Sequence, residues 1–412
     1  MSVRRVLMVI PSLNFGGAQR VFHGHSVFFS RRFEVTECVF NRDLGVAFPT
    51  AQKLESLDVD AGKGPAGKAL KLGQRVSRLR ALKRRLDVDV CVSHLEGADY
   101  VNLLSKGRER VILCVHGTKL HDANISGPLG AVRKHLLIPA LYRRADHIVT
   151  VSRAIRHELI ESFGLPGDRI TAIPNGFDIA ELEQRAKVPL EGELGALFER
   201  FPTVLTSGRL VVQKNQAELV EVFAKLQREV PDARLVFAGD GELRADLEAR
   251  CKTLGLSVAS VDKGQSPLSG AVVFLGFQDN PFKLISRCSV FALPSEWEGF
   301  PMAMGEAMAC GAAVVSADCP TGPRELLSTG DPLPRALNAA EWTPSGALLP
   351  RLKGSDEARR VWSETLATLL RDADRRRALG RASRERVEVF GFEKLMERWQ
   401  RVVEGLPVSE QL

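Results

Sequence analysis

The feature that most constrains this chain is an alternation of short apolar runs with stretches of helical periodicity. Runs rich in Val, Ile, Leu and Phe occur at residues 6–10, 35–40, 88–92, 111–115, 147–151 and 170–173, and a second series follows at 203–207, 234–238, 272–275, 290–293 and 313–316. Helical patterns lie between them, as in 216–229, 242–254 and 302–310. Strands that are apolar nearly throughout are covered on both faces, and strands separated by helices pair in parallel. The expected fold class is therefore α/β.

A length of 412 residues supports two such halves, each with its own core. The break is expected in residues 183–202, a charged, proline-punctuated stretch without strand pattern. The first domain is then 1–185 and the second 200–390, both Rossmann-like. Residues 322–355 are rich in Pro and Gly and read as a long connection. No run is apolar for about 18 residues, so no spanning helix is expected. Arg4 and Arg5 precede an apolar run that ends at Pro11, which reads as a buried strand rather than a signal peptide. The seven cysteines are scattered without a C-x-x-C, arguing against a disulfide framework or zinc site and for a cytoplasmic setting. A net charge of +7 points to an anionic partner without choosing among nucleic acid, nucleotide and membrane.

In open parallel sheets ligands bind beyond the carboxyl ends of the strands. Gly16-Gly17, His116, Arg209, Gly239-Asp240-Gly241 and Glu298 all follow expected strands, so they are expected to converge on one inter-domain cleft. Gly16 and Gly17 allow close backbone approach before a helix that offers free N–H groups to an anion, or they form a tight turn only. Arg209 and Lys214 precede a helix whose dipole disfavours cations there, a placement that a bound diphosphate would explain. Glu298 lies in a loop and Glu306 in the following helix, eight positions on. That offset is about 12 Å of helical rise, more suited to two ends of an elongated ligand than to one bond. Three D-x-D strings, at Asp58-Asp60, Asp87-Asp89 and Asp372-Asp374, fall away from these loops and read as solvated turns, so no metal is expected.

The segment EGFPMAMGEAMACGAAVV resembles the E-x7-E signature of the group 1 retaining glycosyltransferases, and VSRAIRHEL, IPNGFD, FAGDGELRADLEARCKTLGL and VVFLGFQDN before it are similar to that family in order and spacing. DCPTGPREL is similar to members that extend lipid-linked or polysaccharide glycans. The resemblance covers nearly the whole chain and implies the GT-B architecture, two Rossmann-like domains facing across a cleft. It implies a sugar transferred from a nucleotide sugar, UDP-linked by family habit, with retained configuration and neither metal nor cofactor. By carry-over, Glu306 holds the ribose, while Glu298 and the backbone amides of Gly299 and Phe300 hold the donor sugar. Arg209 and Lys214 neutralise the diphosphate, Gly17 and Gly239 approach the donor, and Gly276 and Phe277 frame the base. His116 sits by the donor sugar and leaving group. A helix at 391–405 is expected to pack back on the first domain.

For the acceptor, residues 63–85 form a basic helical run without Asp or Glu. Arg75, Arg78, Lys83 and Arg84 are expected to meet an isoprenoid-diphosphate-linked glycan acceptor or the anionic membrane bearing it. An ordinary surface helix is the alternative. The expected location is cytoplasmic, peripheral at the inner face of the cell membrane. Competing readings are a nicotinamide dehydrogenase, which lacks its G-x-G-x-x-G context, and a nucleotide-sugar epimerase or hydrolase of the same fold. A basic RNA-binding protein would leave the cleft residues unexplained and has few tyrosines for base stacking, so no nucleic-acid partner is expected.

Overall fold

The computed structural model describes residues 4–14, 16–42, 52–121 and 127–409. The chain divides into two compact α/β units, residues 1–176 with 393–412 and residues 177–392.

The first unit is built on a parallel sheet of β1 (Arg5–Val9), β2 (Glu34–Val39), β3 (Lys53–Ser56), β4 (Val90–His94), β5 (Arg110–Val115), β6 (His147–Thr150) and β7 (Ile170–Ala172). Their order is β3-β2-β1-β4-β5-β6-β7. Strands β1, β4 and β5 are buried almost throughout, as both-face coverage demands. The chain reverses its winding between β1 and β4, so the crevice beyond their carboxyl ends is this sheet's switch point. Helix Phe392–Glu404 completes this core: the Trp399 ring lies 4.8 Å from His25 and 6.4 Å from Phe29.

The second unit holds β8 (Thr203–Ser207), β9 (Arg234–Ala238), β10 (Val258–Ser260), β11 (Val272–Phe274), β12 (Val290–Leu293), β13 (Val314–Ala317), β14 (Glu341–Thr343) and β15 (Gly346–Leu349). The order is β10-β11-β9-β8-β12-β13-β15-β14, parallel except for the antiparallel β14–β15 pair. Its switch point lies between β8 and β12.

Three expectations are corrected. The division falls at Gly176/Phe177 rather than after 185. Helix Ile179–Ala186 is tied to the second unit, since Arg185 donates to the Asp279 carbonyl and Asn280 and Ser286 donate to the carbonyls of Arg185 and Ala186. Residues 322–355 are not a bare connection: they contain helix Pro323–Leu327 and strands β14 and β15. Buried Arg324 organises them, its guanidinium bonding both Asp318 (2.5 Å) and Glu341 (2.7 Å). A desolvated Arg needs such bidentate carboxylates around it.

The third correction concerns helix Gly64–Arg85. Lys83 is buried and cannot meet an acceptor or a membrane: its ammonium bonds Glu109 at 2.7 Å and Asn102 Oδ1 at 2.7 Å. Arg75 donates to the carbonyls of Val59 and Asp60 and lies over the Phe40 ring. Arg78 donates to the carbonyls of Leu57 and Asp58. Arg84 is exposed. The acids missing from the run come from neighbouring segments, Asp60 against Lys71 and Glu55 against Arg85. The D-x-D strings are structural as well. Asp89 accepts from the Arg4 and Arg5 amides, and Asp372 caps helix Ala373–Val387.

Candidate active site

In the second unit, β8 ends at Ser207, and Gly208-Arg209 lead to a short turn, Val212–Lys214, before helix Gln216–Glu229. Strand β12 ends at Leu293, and the chain runs through Ser295 and Glu298 into helix Met302–Ala309. These two stretches flank the switch point and meet there: Lys214 Nζ lies 2.6 Å from Glu298 Oε1. Ser295 Oγ donates to the same oxygen at 2.6 Å. The loop is further fixed by Glu298 N donating to the Pro320 carbonyl (2.7 Å) and by Thr321 Oγ1 donating to the carbonyls of Glu298 and Gly299. Gln213 and Asn215 donate to Trp297 O and Glu296 Oε1. The Glu298 carboxylate is therefore held by two donors on a rigid frame. Lys214 carries three N–H donors and spends one on Glu298.

Around that pair the other expected residues fall in order along the sheet edge. Arg209 is exposed, and its guanidinium makes no hydrogen bond or ion pair among the described residues. Gly239, following β9, pairs with Gly276, following β11. A Cβ on Gly239 would stand 2.0 Å from the Gly208 carbonyl oxygen, so only glycine permits the two loops to close. Phe277 is 59% exposed, an aromatic face beside the glycine edge. Phe300 is buried and packs on Phe177 and Phe390, so any service to a ligand comes from its backbone. Glu306 is buried in helix Met302–Ala309, whose first turn holds no acidic residue.

In the first unit the switch point lies between the ends of β1 and β4. Gly16 precedes helix Gly17–Phe29, whose N-terminus has, among the described residues, no side-chain cap, and no acid in its first turn. Its amides are thus open to an anion. His116, after β5, accepts or donates a 2.9 Å hydrogen bond between its Nε2 and His94 Nδ1. His94 stacks parallel to Trp399 and lies edge-on to His25 and Phe22. Burial, with Lys119 adding to it, holds His116 neutral with a pKa of about 3. Burial and then His116 do the same to His25, at about 3, and burial with both neighbouring rings lowers His94. Beside them, Glu96 binds Lys119 (3.1 Å) and Arg133 (2.5 Å). Burial works to raise Glu96, but these cations and Tyr100 outweigh it and hold the carboxylate ionised.

His94, Glu96, Lys119 and Ser295 were not singled out from sequence. The expected end of β4 at 92 left His94 outside the strand, whereas the observed end at His94 brings it into register with Cys114. Among the described residues, His94, Cys114 and His116 form the one group whose ligand atoms lie close enough to hold a metal. An ion there would have to break the His94–His116 bond and take a thiolate from a thiol that burial pushes well up.

Comparison with known proteins matches each unit separately. The profile described as Glycosyltransferase Family 4 matches residues 15–181, and that described as Glycosyl transferases group 1 matches 195–386. A 4-alpha-N-acetylgalactosaminyltransferase of Campylobacter jejuni, acting on N-acetylgalactosamine-N,N'-diacetylbacillosaminyl-diphospho-undecaprenol, is 29% identical over 79% of this chain and 83% of its own. An uncharacterized glycosyltransferase of Methanocaldococcus jannaschii is 26% identical over 84% and 86%. Among solved structures, Anabaena Alr3699/HepE in complex with UDP and glucose superimposes with a TM-score of 0.73, at 17% identity, over 98% of this chain and 100% of that one. Two Rossmann-like α/β units in this order are the GT-B arrangement of domains.

Proposed function

We propose, starting from the chain's membership of the GT-B fold glycosyltransferases, a retaining transfer from a UDP-linked sugar to a hydroxyl of a lipid-linked glycan. The observation that carries this reading is the Lys214–Glu298 pair at the switch point of the second sheet, with Arg209, whose guanidinium has no partner among the described residues, on the same segment after β8. Two cations at one strand edge suit a diphosphate. A carboxylate fixed by Ser295 and Lys214 suits the hydroxyls of a sugar. Exposed Phe277 offers a stacking face for the base, and Glu306 lies on the adjacent helix to take the ribose.

In this reading the bond from the anomeric carbon to the β-phosphate oxygen breaks. A bond from that carbon to the acceptor oxygen forms on the same face, and the hydroxyl proton passes to the departing phosphate. Charge grows on the leaving diphosphate, and the preorganised cations Arg209 and Lys214 stabilise it without a metal. His116, neutral and bonded to His94, has no charge to contribute to this step. The Campylobacter relative's diphospho-undecaprenol substrate supports an isoprenoid-diphosphate acceptor, and such an acceptor suits a location at the inner face of the membrane.

A donor screen with a lipid-linked glycan acceptor tests the reading by following nucleoside diphosphate release. Release should depend on acceptor, and Glu298→Gln should lower kcat/KM about a hundredfold or more. Release at the same rate without acceptor would favour a hydrolase or epimerase, and an unaffected Glu298→Gln would overturn the site.

A further inference from the structure

The helical run from Gly127 to Tyr142 is turned inside out relative to an ordinary surface helix. It consists of Gly127–Val132, a π-helical turn Arg133–Leu137, and Ile138–Tyr142. Its central cations face inward: Arg133 bonds Glu96, and Lys134 Nζ donates to the Leu120 carbonyl at 2.7 Å. Ile138 and Tyr142 are buried, the Tyr142 hydroxyl donating to Asp99 at 3.0 Å. Large apolar side chains are left outside, with Val132 54%, Leu136 66% and Leu137 42% exposed. The π turn adds a residue to its repeat and so carries Leu136 and Leu137 onto the outer face. Three large apolar side chains within six positions form a patch, unlike single exposed residues scattered over a surface.

Charge selects the occupant of that face. No Asp or Glu occurs from 123 to 145, whereas Arg133, Lys134, His135, Arg143 and Arg144 do. His135, Arg143 and Arg144 are exposed beside the apolar patch. The first unit as a whole carries 30 Lys and Arg against 20 Asp and Glu, a balance of +10, while the second carries 27 against 30, a balance of −3. A second copy of so basic a surface would be repelled. An apolar stripe rimmed by exposed cations on a positive unit matches the boundary between acyl chains and anionic headgroups. We propose that the outer face of residues 127–144, centred on Val132, Leu136 and Leu137, docks this chain on an anionic lipid bilayer. This assigns membrane contact to a different helix from the basic run at 64–85, whose charges are largely spent on its own unit.

The proposal does not rest on sugar transfer and is tested without donor or acceptor. The full chain is floated with vesicles of phosphatidylcholine alone and with about 30% phosphatidylglycerol, at low and high salt. The wild-type chain should partition to the anionic vesicles, partly released by salt. Leu136→Glu/Leu137→Glu should lower partitioning about tenfold or more, while Leu70→Glu, at a 64% exposed position of helix Gly64–Arg85, should change it less than twofold. Circular dichroism and the thermal midpoint verify that the variants are folded. Absence of wild-type binding, or equal binding by the double variant, would overturn the proposal. So would a double variant that changes the oligomeric mass but not vesicle binding, since the face would then join copies of the chain.

Discussion

Glu298 and Lys214 lie on segments that leave two different strands, yet they share one short ion pair reinforced by Ser295. At this scale the sequence was legible for position: Glu298, Arg209 and Gly239 each lie beyond the end of a strand, as expected. It was opaque where function depends on what a side chain meets. Lys83 looked like an exposed cation in a basic run and is buried against Glu109. His94 looked like a loop residue and holds His116. The histidine cluster has a measurable signature. His25 is buried neutral and His116 part-buried neutral, with pKa values of about 3, so between pH 6.5 and 3 the unfolded chain binds more protons than the fold. Stability is full above pH 6.5 and falls with decreasing pH, buried His25 costing on the order of 1 kcal/mol by pH 5.5. Asp99, raised by burial to about 7, acts in the opposite sense, so the comparison is made against a variant. Denaturant midpoints of His25→Phe should lose less between pH 7.5 and 5.5 than those of the wild type; parallel losses would contradict a neutral buried ring.

Among the elements, long apolar strands and the helices between them were readable because burial on both faces leaves a nearly continuous apolar run. Strand β3 and strands β10 and β14 are short edge or near-edge elements, and β3 and β14 lack buried residues, so their sequences carry no such run. Pro and Gly in 322–355 hid β14 and β15; buried Arg324 ties Glu341 of β14 to Asp318 just beyond β13. Helix Met302–Ala309 shows how closely the site elements are packed. A Cβ on Gly305 would lie 2.0 Å from Cζ of Phe177, whose buried ring rests against Phe300. In an open helix Gly→Ala stabilises by up to about 1 kcal/mol. Here overpacking should dominate, and Gly305→Ala should destabilise by about 1–3 kcal/mol. Urea unfolding reads the sign directly, and a stabilised variant would contradict the packing described.

The whole molecule is two Rossmann-like units of opposite charge balance, each with a switch point in its own sheet. That organisation was legible because each half repeats the strand–helix alternation. The division itself was misplaced, because helix Ile179–Ala186 has the composition of a linker but hydrogen-bonds into the second unit. The proposed sugar transfer rests on the second unit's candidate site, above all on where a diphosphate would sit. Calorimetric titration of UDP into the wild type, Arg209→Ala, Lys214→Met and the exposed control Arg84→Ala is the most direct test. Affinity should fall about tenfold or more in Arg209→Ala and Lys214→Met, each losing a charge-assisted bond, and stay unchanged in Arg84→Ala. Equal affinity in all four would contradict a diphosphate held at the β8–β12 switch point.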